Sequence, residues 1–132
     1  LGVDRAESAL PDLVRAARST DHPVLWVCDP MLANTRKTSA GIKTRSFDDV
    51  LRELEIAWDV HHALGSRLGG VHFELTPDDV TECTGGIRGL TESDLSTNYT
   101  TLCDPRLNYE QAMELAFLLA ERMDTDGTTE TA

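Results

Sequence analysis

The chain has 132 residues, 40% of them hydrophobic and 27% charged, which is the mix of one globular domain with a single core rather than of a disordered segment. Its 23 acidic and 12 basic side chains give a formal net charge of -11 at pH 7, which repels nucleic acid and anionic membranes and excludes both as expected partners. No apolar run approaches the roughly 20 residues that cross a bilayer and no charged-then-apolar leader is visible, so a cytoplasmic protein is expected, and a start at Leu1 rather than Met fits a trimmed form of a slightly longer chain.

In chain order, Ala6, Ala9, Leu10, Leu13, Val14 and Ala17 recur at helical spacing and predict one amphipathic helix, with Pro11 kinking it or marking a restart. "DHP" breaks the pattern, and "VLWVC" (24–28) is a short β-rich run of buried-strand type. After the polar loop "NTRKTSAGIKTR", Ser46 with Asp49 three residues on forms a capping-box-like start. Phe47, Val50, Leu51, Leu54, Trp58 and Leu64 then keep the helical period until Gly65, with Trp26 and Trp58 expected in the core. "GGVHFEL" (69–75) reads as the next strand, a long connection follows, and "YTTLCDPRLN" (99–108) reads as a third strand ending in an Asp-Pro turn. Asn108 with Gln111 caps a last helix running to about Met123, broad in its apolar coverage, and residues 125–132 are expected to be a flexible tail.

Cys28, Cys83 and Cys103 are odd in number, widely spaced and lack a CxxC pair, which predicts reduced, mostly buried thiols. Helices alternating with strands define an α/β chain with right-handed parallel crossovers. A complete eight-stranded barrel takes about 250 residues, so this length supplies only about half of one.

In parallel α/β folds ligands bind at the carboxyl ends of strands, and each of the three predicted strands ends in an acid: Asp29, Glu74 and Asp104. His72 shares a strand face with Glu74 by the period of two. One histidine and up to three carboxylates suit acid–base work or a divalent metal. The plainer alternatives stay open: Asp before Pro is a common turn-former, a strand histidine is often a hydrogen-bonded core residue, and Lys43 and Arg45 are either an anion site or a solvated basic loop. His61 falls on the apolar face of its helix and reads as structural, whereas His62 points elsewhere. Serine elbows, P-loops and dinucleotide fingerprints are missing.

The strings "HPVLWVCDPM", "GIKTRSFDDVL", "VHHALG", "GGVHFELTPDDVTECTGG" and "CDPRLN" resemble the carboxyl-terminal portion of class II 3-deoxy-D-arabino-heptulosonate 7-phosphate (DAHP) synthases, over about residues 1–123. The resemblance implies the last three strands of a (β/α)₈ barrel that condenses phosphoenolpyruvate with erythrose 4-phosphate at a divalent metal. It implies that Glu74 and Asp104 match metal-ligand positions, in a weak or vestigial form, and that Lys43 and Arg45 belong to a basic motif near the substrate. The family's "CDPMHGNT" here reads "CDPMLANT", with Leu32 where a ligating histidine stands, and a leucine coordinates nothing.

The resulting expectation is a partial barrel, residues 1–124, of about three parallel strands with flanking helices, completed by oligomerisation, most simply as a two-fold dimer. The candidate catalytic groups are Glu74, Asp104 and His72, and the candidate substrate-binding groups are Lys43, Arg45, Asp29 and Asn34. No cofactor is assigned, a divalent metal being the open alternative. The leading functional reading is a repurposed enzyme doing dehydration, cyclisation or carbon–carbon rearrangement on a small oxygenated metabolite of shikimate-related or secondary metabolism. A non-catalytic partner of a biosynthetic enzyme, and a DAHP synthase completed by another chain, are the alternatives.

Overall fold

Helical periodicity at the start of the chain becomes α1 (Val3–Arg18), and the helix runs on through Pro11. It buries Ala6, Leu10 and Val14, while Leu13 faces solvent. The computed structural model describes residues 1–127. After a turn the chain enters β1 (Trp26–Cys28), followed by one turn of 3₁₀ helix at Leu32–Asn34. A two-residue antiparallel ribbon, β2 (Arg36–Lys37) with β3 (Lys43–Thr44), occupies what reads in the sequence as a polar loop.

The predicted cap is present at α2 (Phe47–Ala63), where the Ser46 hydroxyl accepts from the Asp49 N–H. Gly65 ends the helix region at φ 60°, a left-handed conformation that glycine adopts without a Cβ penalty. The second parallel strand is β4 (Leu68–Val71), paired with β1 in the register Trp26↔Leu68 and Cys28↔Val71. At the far end, Asn108 Oδ1 accepts from the Gln111 N–H at 2.9 Å while Gln111 Oε1 accepts from the Asn108 N–H at 3.2 Å. This reciprocal capping box opens α3 (Tyr109–Gly127), which extends past the expected end at Met123. The last five residues of the expected tail, 128–132, lie outside the described residues.

The architecture is α/β, with a two-stranded parallel sheet and three helices, and it corrects the expectation of three strands. The 69–75 strand closes at Val71, and no strand forms over 99–108. One parallel bridge, Leu75↔Leu107, is the backbone pairing between the two regions, held by Thr76 N–H to Leu107 O and Leu107 N–H to Glu74 O. Residues 100–106 turn instead toward Glu82, a buried carboxylate that takes up the backbone donors a ladder would use. Its oxygens accept from the N–H groups of Thr100, Thr101 and Arg106 and from the Arg106 guanidinium at 2.8 and 3.0 Å.

The sheet is covered on one side only. Trp26, Cys28 and Leu68 pack with Leu10, Val14 and Ala57 of α1 and α2, whereas Leu25 and Val27 are 77% and 53% exposed. "VLWVC" is therefore half-buried rather than fully buried. A second cluster, Met31, Phe47, Val50, Cys83, Leu107 and Leu115, joins α2 and α3 to the loops. Among the described residues no helix is long and apolar enough to cross a membrane.

Burial pushes the Glu82 carboxyl upward, but the hydrogen bonds from Arg106, Thr100 and Thr101 outweigh it and hold the group below its ordinary range. A folded value below the unfolded one, about 4.3, means stabilisation that is complete above that pH and lost as pH falls through the folded value. Glu82→Gln should cost about 3 kcal/mol at neutral pH, as expected for breaking a buried pair. Urea titrations should also show wild-type stability falling more steeply in acid than that of the variant.

Candidate functional site

Asp29 directly follows β1 and His72 directly follows β4, at the ends of the parallel strands, while Lys43 begins the antiparallel β3 and Asp104 follows no strand. They meet as three acid–base pairs. Asp29 Oδ2 lies 3.5 Å from His72 Nδ1, Glu74 pairs with Arg45, and Asp104 Oδ1 accepts from Lys43 Nζ at 3.2 Å.

Arg45 is the most constrained member. Its side chain is 0% exposed, and its two terminal nitrogens donate to both Glu74 oxygens at 2.9 and 3.0 Å, the bidentate geometry that guanidinium favours. The same group donates from Nη1 to Pro105 O at 2.5 Å and from Nε to Thr35 Oγ1 at 2.9 Å. Four segments distant in sequence are thus held by one side chain. Glu74 keeps 29% of its side chain exposed, so the pair sits at the floor of the strand ends with the carboxylate toward solvent.

The outer two pairs are open to water. Lys43 holds the Asp104 carboxyl below its ordinary range, chiefly through the hydrogen bond, and Cys103 Sγ lies 3.8 Å from the other carboxylate oxygen. Asp29 does two things: Oδ2 faces His72, while Oδ1 accepts from Met31 N–H and Leu32 N–H and fixes the 3₁₀ turn. Leu32, within that turn, is 66% exposed.

Asn34 stands apart from these groups. It is buried, its Nδ2 donates to Pro30 O and Glu53 Oε2, and its Oδ1 accepts from Val3 N–H, so its amide fastens the start of α1 and the middle of α2 to the turn. His61 is structural as expected: it is buried, lies against the Trp26 ring at 5.1 Å, meets Ser66 Oγ through Nδ1, and burial lowers its pKa. Burial likewise pushes the Cys28 and Cys83 thiols up to about 12, leaving them un-ionised at neutral pH, while Cys103 is exposed. Glu53 and Glu82, buried charges of the frame around the site, carry no periodic signal that marks them as buried, and Arg106, which pairs with Glu82, keeps 29% of its side chain exposed. Only the oddity of "TEC" within a long connection hints at Glu82.

The residues do not by themselves fit a divalent metal. Both Glu74 oxygens accept from Arg45, Asp104 is engaged by Lys43, and among the described residues no three His, Cys, Asp or Glu side chains converge as a metal requires. The best-formed clefts also lie elsewhere, one of about 350 Å³ between α2 and α3 and one of about 260 Å³ beside Arg18, Trp26 and Arg67.

An α/β chain with paired charges at the ends of parallel strands has the outline of one sector of a (β/α) barrel enzyme. Residues 1–120 match the class-II DAHP synthetase family, and the chain belongs to that family. Among curated relatives, it is 46% identical over 123 residues to the phospho-2-dehydro-3-deoxyheptonate aldolase of Mycolicibacterium smegmatis, covering 93% of this chain and 26% of that protein. It is 53% identical over 122 residues to the Neurospora crassa enzyme of the same name, covering 91% and 25%. It is 48% identical over 121 residues to that of Streptomyces coelicolor, covering 92% and 27%. The chain thus spans about a quarter of the length of these relatives.

Breaking the Arg45–Glu74 pair from one side leaves the other charge stranded, so Arg45→Met and Glu74→Gln should each destabilise the fold by about 3 kcal/mol. Combined, they should cost less than the sum of the two, read as a coupling energy in chemical denaturation. Additive losses would mean that the two groups act independently.

Proposed function

We propose that this chain supplies the carboxylate-and-cation sector of a DAHP-synthase-type site, and that condensation of phosphoenolpyruvate with erythrose 4-phosphate requires further barrel strands around it. The observation that carries this reading is the set of three acid–base pairs beside a two-stranded parallel sheet that helices cover on one side only. The groups of a site are present, while the walls that would exclude water from it are not.

Lys43 is the exposed cation of the set and would exchange Asp104 for an anionic oxygen of the substrate. Arg45 acts through Glu74, as a positioning residue, because it is buried and most of its donors are already used within the chain. His72, oriented by Asp29, is able to take or give a proton at its ring nitrogens. A divalent metal would supply polarisation of a substrate oxygen, with Glu74 and Asp104 among its ligands only if others come from outside this chain. Three free thiols suit the reducing cytoplasm.

Leu32 favours a second reading. Its exposed position in the strand-end turn, where the family resemblance places a ligating histidine, fits a site turned to metal-free acid–base chemistry on a small oxygenated metabolite.

A fusion separates the two. Residues 1–123 would replace the matching quarter of the Mycolicibacterium smegmatis relative, with and without Leu32→His, and phosphoenolpyruvate consumption would be followed with added Mn²⁺. The isolated chain should be inactive. The Leu32→His fusion should turn over, and Lys43→Ala within it should lower the rate by about a hundredfold. Turnover by the isolated chain, or a folded but inactive Leu32→His fusion, would overturn the proposal.

A further inference from the structure

The short ribbon beside the site breaks a rule of strand pairing. Lys37 of β2 stands directly opposite Lys43 of β3. Residues so placed in an antiparallel pair project to the same face with their Cβ atoms about 5 Å apart, and like charges there repel and weaken the pair. Both lysines are exposed. Lys43 has a carboxylate partner in Asp104, but among the described residues no acid pairs with Lys37. The surroundings do not dilute the charge either. In a chain of net charge -11, residues 30–47 hold no acid and carry four of the 12 basic side chains, Arg36, Lys37, Lys43 and Arg45. Arg36 is paired with Glu92 and Arg45 with Glu74, which leaves Lys37 as the uncompensated cation of the group.

A free hairpin would relieve the repulsion by splaying, and this one is held from both sides. Thr38 N–H donates to Ile42 O at 2.9 Å, Gly41 N–H donates to Thr38 O at 2.9 Å and Ile42 N–H donates to Thr38 Oγ1 at 3.2 Å, which closes the turn. Behind the ribbon, the Tyr99 hydroxyl donates to the Lys43 carbonyl at 2.9 Å. Thr44, next to Lys43, is wholly buried, and its hydroxyl donates to the Glu82 carbonyl at 2.9 Å. The opposition of the two ammonium groups is therefore built into the fold. A local rule broken without compensation inside the chain marks a functional position.

We infer that Lys37 and Lys43 form a two-lysine clamp for the phosphoryl dianion of a phosphorylated substrate. The inference rests on the reading above, in which Lys43 exchanges Asp104 for an anionic oxygen of the substrate, and it adds Lys37 as a second binding group. A phosphoryl group offers each ammonium an oxygen of its own and enough charge to neutralise both. A carboxylate carries one charge and leaves one lysine opposed by the other.

The test uses the whole chain and methyl phosphate, largely a dianion at about pH 8. Titrated at constant ionic strength and followed by NMR of the lysine Cε groups, it should move the Lys37 and Lys43 resonances together, with one dissociation constant on the order of millimolar. Lys37→Met should weaken that binding about tenfold, and Lys37→Arg should restore most of it. Methyl sulfate, a monoanion of the same shape, should bind more weakly. Without ligand, Lys37→Met should raise the urea midpoint at low salt and lose that advantage at high salt, because it removes the opposed charge. In the Leu32→His fusion the same substitution should raise KM for one of the two phosphorylated substrates with kcat little changed, and that substrate is the one whose phosphoryl group the clamp holds. A Lys37 resonance that stays still, or equal binding by Lys37→Met, sinks the inference even where the fusion turns over. A lower urea midpoint does the same, since it marks a partner for Lys37 within the chain. An inactive fusion with the titration as expected removes the functional reading and leaves the clamp standing.

Discussion

A guanidinium shut away from water decides the shape of the strand ends. Arg45 reaches Thr35, Glu74 and Pro105 at once and ties together by polar contacts the segments that follow β1, β3 and β4. Burying a positive charge is costly, and here the cost is offset by a bidentate carboxylate, a carbonyl and a hydroxyl that satisfy most of its donors. Glu82 plays the matching negative part a short distance along the chain: it gathers the N–H groups of a loop that would otherwise be unpaired. The two buried charges do with polar contacts what a longer strand ladder does in a larger sheet.

The helices were legible in the sequence because their signals are local. The Ser46 and Asn108 caps, the glycine stop at 65 and the apolar spacing all act within a few residues, and all three helices form where those signals place them. Strands depend on neighbours, and there the reading failed in an instructive way. "YTTLC" has β-type composition, but its backbone donors go to Glu82, and no composition rule foresees a buried carboxylate 18 residues earlier in the chain. The β2–β3 ribbon was hidden for the opposite reason, because Arg36, Lys37 and Lys43 are polar residues on an exposed edge.

At the site, Asp29 at the end of β1 and His72 just past β4 follow from the rule that strand ends gather functional groups, whereas Lys43 and Arg45 follow from the GIKTR motif, and Asp104 joins Lys43 although no strand leads to it. Their pairing follows from neither, since which cation meets which acid depends on the fold of the intervening loops. Asn34 shows the limit most clearly. A polar residue beside a strand end looks available for a ligand, yet its amide is spent on the main chain of α1 and on Glu53, because the start of α1 lands against the turn.

The glycines of β4 bear on what such an open face can accept. A Cβ at Gly69 would stand 2.4 Å from the Leu25 side chain, and one at Gly70 would stand 3.7 Å from that of Val27. Between Leu68 and Val71 the two glycines add no side-chain volume, and the Leu25 and Val27 side chains lie beside them. A barrel interior is filled in layers of side chains drawn from several strands. In a closed barrel this sector would be the shallow side of the mould, and the bulk that fills the centre would have to come from other strands.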